Sequence, residues 1–101
     1  MTVPDHLRHY PCEGYFASEW AASGEWDELG QTMLILPASE IEERPELPFL
    51  IVSRFGDGLA LGFRPDLPGF WGYASEVDDF VLISSSIEEF VQTFYAGREG
   101  L

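Results

Sequence analysis

The sequence predicts an α+β fold: a single antiparallel sheet of about five strands with short helices and a C-terminal helix packed on it. Three observations predict it. From Phe49 onward, short apolar runs alternate with turn residues, the pattern of an antiparallel meander rather than of crossover units. Ile87, Phe90, Val91, Phe94 and Tyr95 recur at the i, i+3, i+4, i+7, i+8 spacing of a core-facing helical stripe. Met33-Leu34-Ile35-Leu36, closed by Pro37, has the length and apolarity of a buried strand. With 101 residues and 46% hydrophobic content there is material for one core of useful size, so residues 1–101 read as one domain.

Residues 1–32 carry no sustained periodicity. Phe16 and Trp20 are four apart among Ala17, Ala21 and Ala22, which predicts a short helix from Tyr15 to Ala22. After the strand Met33–Leu36, Ser39-Glu40-Ile41-Glu42 fits a capping box, and Pro45 limits the helix it would open to a turn or two. Phe49–Phe55 is the next strand, and Gly56-Asp57-Gly58 supplies the positive-φ positions of a hairpin. Leu59, Leu61 and Phe63 then alternate with Ala60, Gly62 and Arg64, so one face of that strand lies in the core. Pro65–Gly69 reads as a loop, Phe70–Ser75 as a strand, Glu76–Asp79 as an acidic turn and Phe80–Ser84 as the last strand. Ser85 with Glu88, or Ser86 with Glu89, caps the final helix, and Gly97 is placed to end it.

Charge excludes several functions. Eighteen Asp and Glu face five Arg and no Lys, a formal charge of -13 that repels phosphate backbones and anionic membrane surfaces. Direct nucleic-acid binding is disfavoured. The longest apolar stretches fall far short of the roughly 20 residues of a membrane helix, and no secretory h-region is visible in Met1–Pro11. A single cysteine excludes an intramolecular disulfide and favours a reducing, cytoplasmic setting.

Catalytic and metal readings are equally thin. His6, His9 and Cys12 are three apart in succession, but a closed zinc site needs a fourth ligand and the chain has no further His or Cys. Ser84, Ser85 and Ser86 lack a nucleophile elbow and are better read as caps. The expectation is a non-enzymatic protein with no cofactor and no bound metal.

The segment Leu34–Arg98, about two-thirds of the chain, resembles the SUKH superfamily, the immunity-protein fold that also includes fungal cell-wall assembly regulators. The resemblance lies in Leu34-Ile35-Leu36-Pro37-Ala38-Ser39-Glu40-Ile41, Pro48-Phe49-Leu50-Ile51-Val52, Gly58-Leu59-Ala60-Leu61-Gly62-Phe63 and Gly69-Phe70-Trp71-Gly72-Tyr73. It is clearest in Phe80-Val81-Leu82-Ile83-Ser84-Ser85-Ser86-Ile87-Glu88-Glu89-Phe90-Val91, which looks like the family's strand, Ser-rich cap and helix. Residues 1–32 leave room for only a trimmed form of the helical region that family members place ahead of the sheet. The resemblance implies an α+β fold, a non-enzymatic role and, as in bacterial members, neutralisation of a toxin by direct binding.

Residue chemistry points toward the same class of partner. Phe70, Trp71 and Tyr73 put aromatics on both faces of one strand, so a ring must be covered by something besides the main core. The segment bearing Trp20 and Trp26 is the internal candidate; a partner is the external one. Carboxylates of the sheet loops, Asp57, Asp66, Glu76, Asp78 and Asp79, would surround exposed parts of Trp71 and Tyr73. Such a surface suits a basic protein, with rings as anchors and acids as steering groups. The alternatives are an acidic mimic of nucleic acid or a regulatory scaffold that binds a basic partner.

Overall fold

A computed structural model describes residues 1–55 and 58–99, the last two by backbone alone. The fold is α+β. A 3₁₀ turn (Asp5–Leu7) leads to α1 (Glu13–Ala17) and α2 (Trp20–Ser23), followed by seven strands among the described residues. These are β1 (Glu25–Asp27), β2 (Thr32–Ile35), β3 (Glu42–Arg44), β4 (Phe49–Phe55), β5 (Leu59–Arg64), β6 (Leu67–Ala74) and β7 (Asp79–Ser84). α3 (Ile87–Glu99) ends the described chain. β3 to β7 form a five-stranded antiparallel sheet in sequence order, and β1 and β2 form a separate antiparallel pair.

The meander and the last helix follow the sequence reading closely. Ile87, Phe90 and Val91 are buried and Phe94 and Tyr95 pack on the core, while Glu88, Glu89, Gln92 and Thr93 face water. Ser86 is the residue that caps α3: its Oγ accepts the Glu89 N–H at 3.1 Å. The Glu89 carboxylate reaches back to Ser85, accepting from its hydroxyl at 2.7 Å.

Five expectations need correction. The apolar run at 33–36 is a strand, but it pairs with β1 instead of joining the main sheet. Its place as fifth strand is taken by β3, within the stretch expected to form a capped helix. Pro45 leaves no length for a helix there, and the 45–48 turn folds Glu42–Arg44 back on Phe49–Ile51, so the backbone groups pair across strands. The expected Tyr15–Ala22 helix is broken at Ser18, whose backbone is extended. The Ser18 hydroxyl donates to the Tyr15 carbonyl at 2.6 Å and accepts the Trp20 N–H at 3.2 Å, offering the backbone partners that a continuous helix would have used. β6 starts at Leu67 because Pro65 and Asp66 alone make the turn. Gly97 lies inside α3, which runs on to Glu99.

The N-terminal segment is also part of the core. Leu7, Tyr10, Cys12, Tyr15, Phe16 and Ala21 are buried with Leu34, Leu50, Val52, Leu61, Phe63, Phe70 and the α3 stripe. The β1–β2 pair is fastened to β4 at a bulge between Ile51 and Ser53: the Leu36 N–H donates to the Val52 carbonyl at 2.8 Å, and the Ser53 hydroxyl to the Leu34 carbonyl at 2.6 Å. Opposite, Gly62 lets two backbones meet, since a Cβ there would stand 1.8 Å from the Leu50 carbonyl oxygen.

Candidate functional site

Strand alternation gives the main sheet two unlike faces. On β4, Leu50 and Val52 enter the main core, whereas Phe49 and Ile51 are buried on the opposite side. On β6, Phe70 is in the core and Trp71 and Tyr73 stand half-buried on that opposite side. This outer face carries a second, smaller apolar cluster. The Phe80 ring lies 5.1 Å from both the Phe49 and the Tyr73 ring, and the Arg64 guanidinium lies 4.2 Å from the Phe80 centroid and 4.8 Å from that of Trp71. Arg64 is therefore the cover on Trp71, a cation–π contact worth about 0.5 to 2 kcal/mol depending on its exposure. Trp20 instead packs against the main core and donates its indole N–H to Glu25, and Trp26 is largely exposed.

Beside this cluster is an open groove of about 350 Å³ whose lining includes Ile51, Ala60, Arg44, Arg54 and Tyr73. Its arginines are held by carboxylates: Arg54 by Glu42, and Arg44 by Glu46 at 2.6 Å and Glu42 at 3.6 Å. The Glu46 contact raises Arg44 above its already high range, and Glu46 sits below the usual carboxylate range through its backbone hydrogen bond and then Arg44. All four residues are well exposed, so these pairs orient side chains more than they stabilise the fold.

The expected site residues separate into two groups. Tyr73, Asp78 and Asp79 come together: the Tyr73 hydroxyl donates to the Asp78 carboxylate, which pushes the phenol above its ordinary value, and Asp79 accepts the Phe80 N–H at 2.8 Å. Glu76 is exposed on the same 75–78 turn. Asp66 lies at the other end of β6, about 25 Å away along eight residues of strand, where its N–H donates to the His9 carbonyl at 2.9 Å. Asp57, with the hairpin expected at 56–58, falls at positions outside the described residues except for Gly58, whose φ is +102°. Asp66 and Asp78 both have positive φ, 60° and 52°, so each has a turn to make whatever else its charge does.

Arg64, Phe80, Arg44 and Arg54 were not singled out by the sequence reading. A signal was present, for three of the five basic residues fall between positions 44 and 64 in an otherwise acidic chain, all on sheet strands. The three N-terminal candidates do not converge: Cys12 is buried with its thiol turned to the Leu7 carbonyl, while His6 and His9 are exposed, and His9 stacks on Tyr10. Among the described residues no group of three or more His, Cys, Asp or Glu side chains is arranged to hold a metal ion, and no helix is long and apolar enough to cross a membrane. Comparison with protein-family models, curated proteins and solved structures finds no match.

Proposed function

We propose that this chain is a non-enzymatic binding module that recognises a basic protein surface, as its resemblance to toxin-neutralising SUKH proteins implies, and that it works in the cytoplasm. The observation that carries the reading is the outer face of the sheet. Trp71, Tyr73 and Phe80 are half-exposed there beside the exposed Leu82, with Asp78 and Asp79 on the adjoining turn and strand start. Rings of this kind supply affinity once desolvated, while rim carboxylates on a chain of charge -13 raise the rate of encounter with a cation. The role of Asp66 in this reading is secondary, because it stands at the far end of β6.

The test is association with immobilised cationic protein domains, including any encoded beside this gene. Neutralising the turn with Glu76→Gln, Asp78→Asn and Asp79→Asn should slow association about tenfold and flatten its salt dependence. Asn keeps the positive φ that position 78 needs. Trp71→Ala should chiefly speed dissociation, with its thermal stability measured alongside. Association indifferent to salt up to roughly 0.5 M, where the Debye length is well under ~10 Å, would defeat the steering claim.

A further inference from the structure

We infer that β7 is a docking edge, and that its occupant is an extended, cationic segment of the partner that adds to the main sheet as a further strand. The inference rests on the proposed reading that the partner is basic, and it names how that partner is held. β7 is the last strand in the sheet order, so one side of its backbone has no strand neighbour among the described residues. Its side chains are unusual for an edge. Val81, Leu82 and Ile83 are 51%, 54% and 37% exposed, three apolar residues in a row. Leu82 is paired with Trp71 on the aromatic face, while Val81 is paired with Gly72 on the other, so both faces of the edge are apolar.

Sheets ordinarily blunt such edges with short strands, charge or proline, since an open apolar edge templates pairing with another chain. The opposite edge obeys this: β3 is three residues long and reads Glu42-Glu43-Arg44. β7 has six residues with a charge only at Asp79, and its irregularity lies toward Ser84, leaving Asp79 to Leu82 in regular register with Ala74 to Trp71. The contrast between the two edges marks β7 as the one left open.

Charge selects the occupant. Glu76, Asp78 and Asp79 precede or begin the strand and Glu89 follows it on the first turn of α3, while the Arg64 guanidinium lies on the outer face, 4.2 Å from the Phe80 ring. A second copy would bring another charge of -13, and antiparallel pairing of β7 with itself would set the acids of one turn against Glu89 of the other chain. A foreign strand with apolar residues in its middle and Lys or Arg at both ends meets Glu76, Asp78 and Asp79 at one end, Glu89 at the other and the side chains of Val81, Leu82 and Ile83 between them. Main-chain hydrogen bonds then give affinity and side chains give selectivity.

The experiment uses a fluorescent peptide of sequence Lys-Lys-Val-Thr-Val-Ile-Val-Lys-Lys and a twin with the amide nitrogens of all five central residues methylated, which keeps side chains and charge but leaves that stretch no N–H to donate along either strand edge. Binding is read by anisotropy to the full chain at ~0.15 M salt. The plain peptide should bind, its methylated twin about tenfold more weakly, and Leu82→Lys or Val81→Lys should weaken the plain peptide to a similar degree. Equal binding of both peptides, lost only on neutralising Glu76, Asp78 and Asp79, would overturn edge addition while leaving a basic partner standing. Binding of cationic domains but of neither peptide would overturn it in the same way. A wild-type dimer in sedimentation that Leu82→Lys dissociates would assign the edge to a second copy and also overturn it. Failure of every cationic probe to bind would remove the functional reading itself.

Discussion

Phe90 joins the helix to the sheet. It is only 8% exposed, and its ring centroid lies 5.1 Å from that of Phe70 and 5.9 Å from that of Phe55. Truncating so buried an aromatic removes its transfer free energy and leaves a void, so Phe90→Ala should cost about 3 to 5 kcal/mol in denaturant unfolding. A loss under about 1 kcal/mol would show that α3 does not depend on this contact. Cys12 gives a second residue-scale outcome. Burial, aided by the nearby charge of Glu13, pushes its thiol from 9.0 up to about 11. The phenols of Tyr10 and Tyr15 are raised as well, chiefly by burial and, for Tyr10, by its hydrogen bond to Glu43. Each of these acids holds its proton longer folded than unfolded, so the folded chain binds more protons once the unfolded groups begin to ionise. Their stabilising contribution is therefore complete below about pH 9 and declines as pH rises through 11. Denaturation midpoints taken across that range should fall with pH, and a thiol reagent at neutral pH should label the native chain far more slowly than the urea-unfolded one.

Among the elements, α3 has the most easily altered ends. Ser86→Ala removes the acceptor for the Glu89 N–H and should destabilise by about 0.5 to 2 kcal/mol in thermal or urea unfolding. Gly97 sits within the helix, and a Cβ there would meet nothing within 4 Å, so Gly97→Ala should stabilise by up to about 1 kcal/mol. Unchanged or reduced stability would mean that the helix ends before position 97, as its glycine first suggested. α3 and β4 to β7 were legible because their apolar periods are long and uninterrupted. Glu42–Arg44 was not, because a serine followed three residues later by a glutamate satisfies a local capping rule, whereas pairing with Phe49–Ile51 is a contact across a turn that no local rule sees. The break at Ser18 was hidden for a related reason: alanines on both sides favour helix, and one hydroxyl bonded in both directions overrides them.

For the whole molecule the N-terminal segment matters most. Leu7, Tyr10 and Cys12 are each at most 4% exposed, and Tyr10 also donates to Glu43 at 3.0 Å. Deletion of residues 1–12 should therefore prevent cooperative folding, visible as loss of near-ultraviolet dichroism and of a thermal transition; a chain that still melted cooperatively would show that the segment is dispensable. The α+β class, the order of β4 to β7, the docking stripe of α3 and the strongly acidic character follow from the sequence by itself, since alternation, helical period and charge are properties of neighbouring residues. Only the tertiary structure decided that residues 1–32 complete the core, that β2 pairs with β1 while β3 closes the sheet, and that Arg64 lies between Trp71 and Phe80. It also separated Asp66 from Asp78 and placed β7 last in the sheet order, with no strand neighbour on one side among the described residues. Each of these depends on which distant segments meet, and burial and pairing energies are set by that meeting rather than by any local pattern.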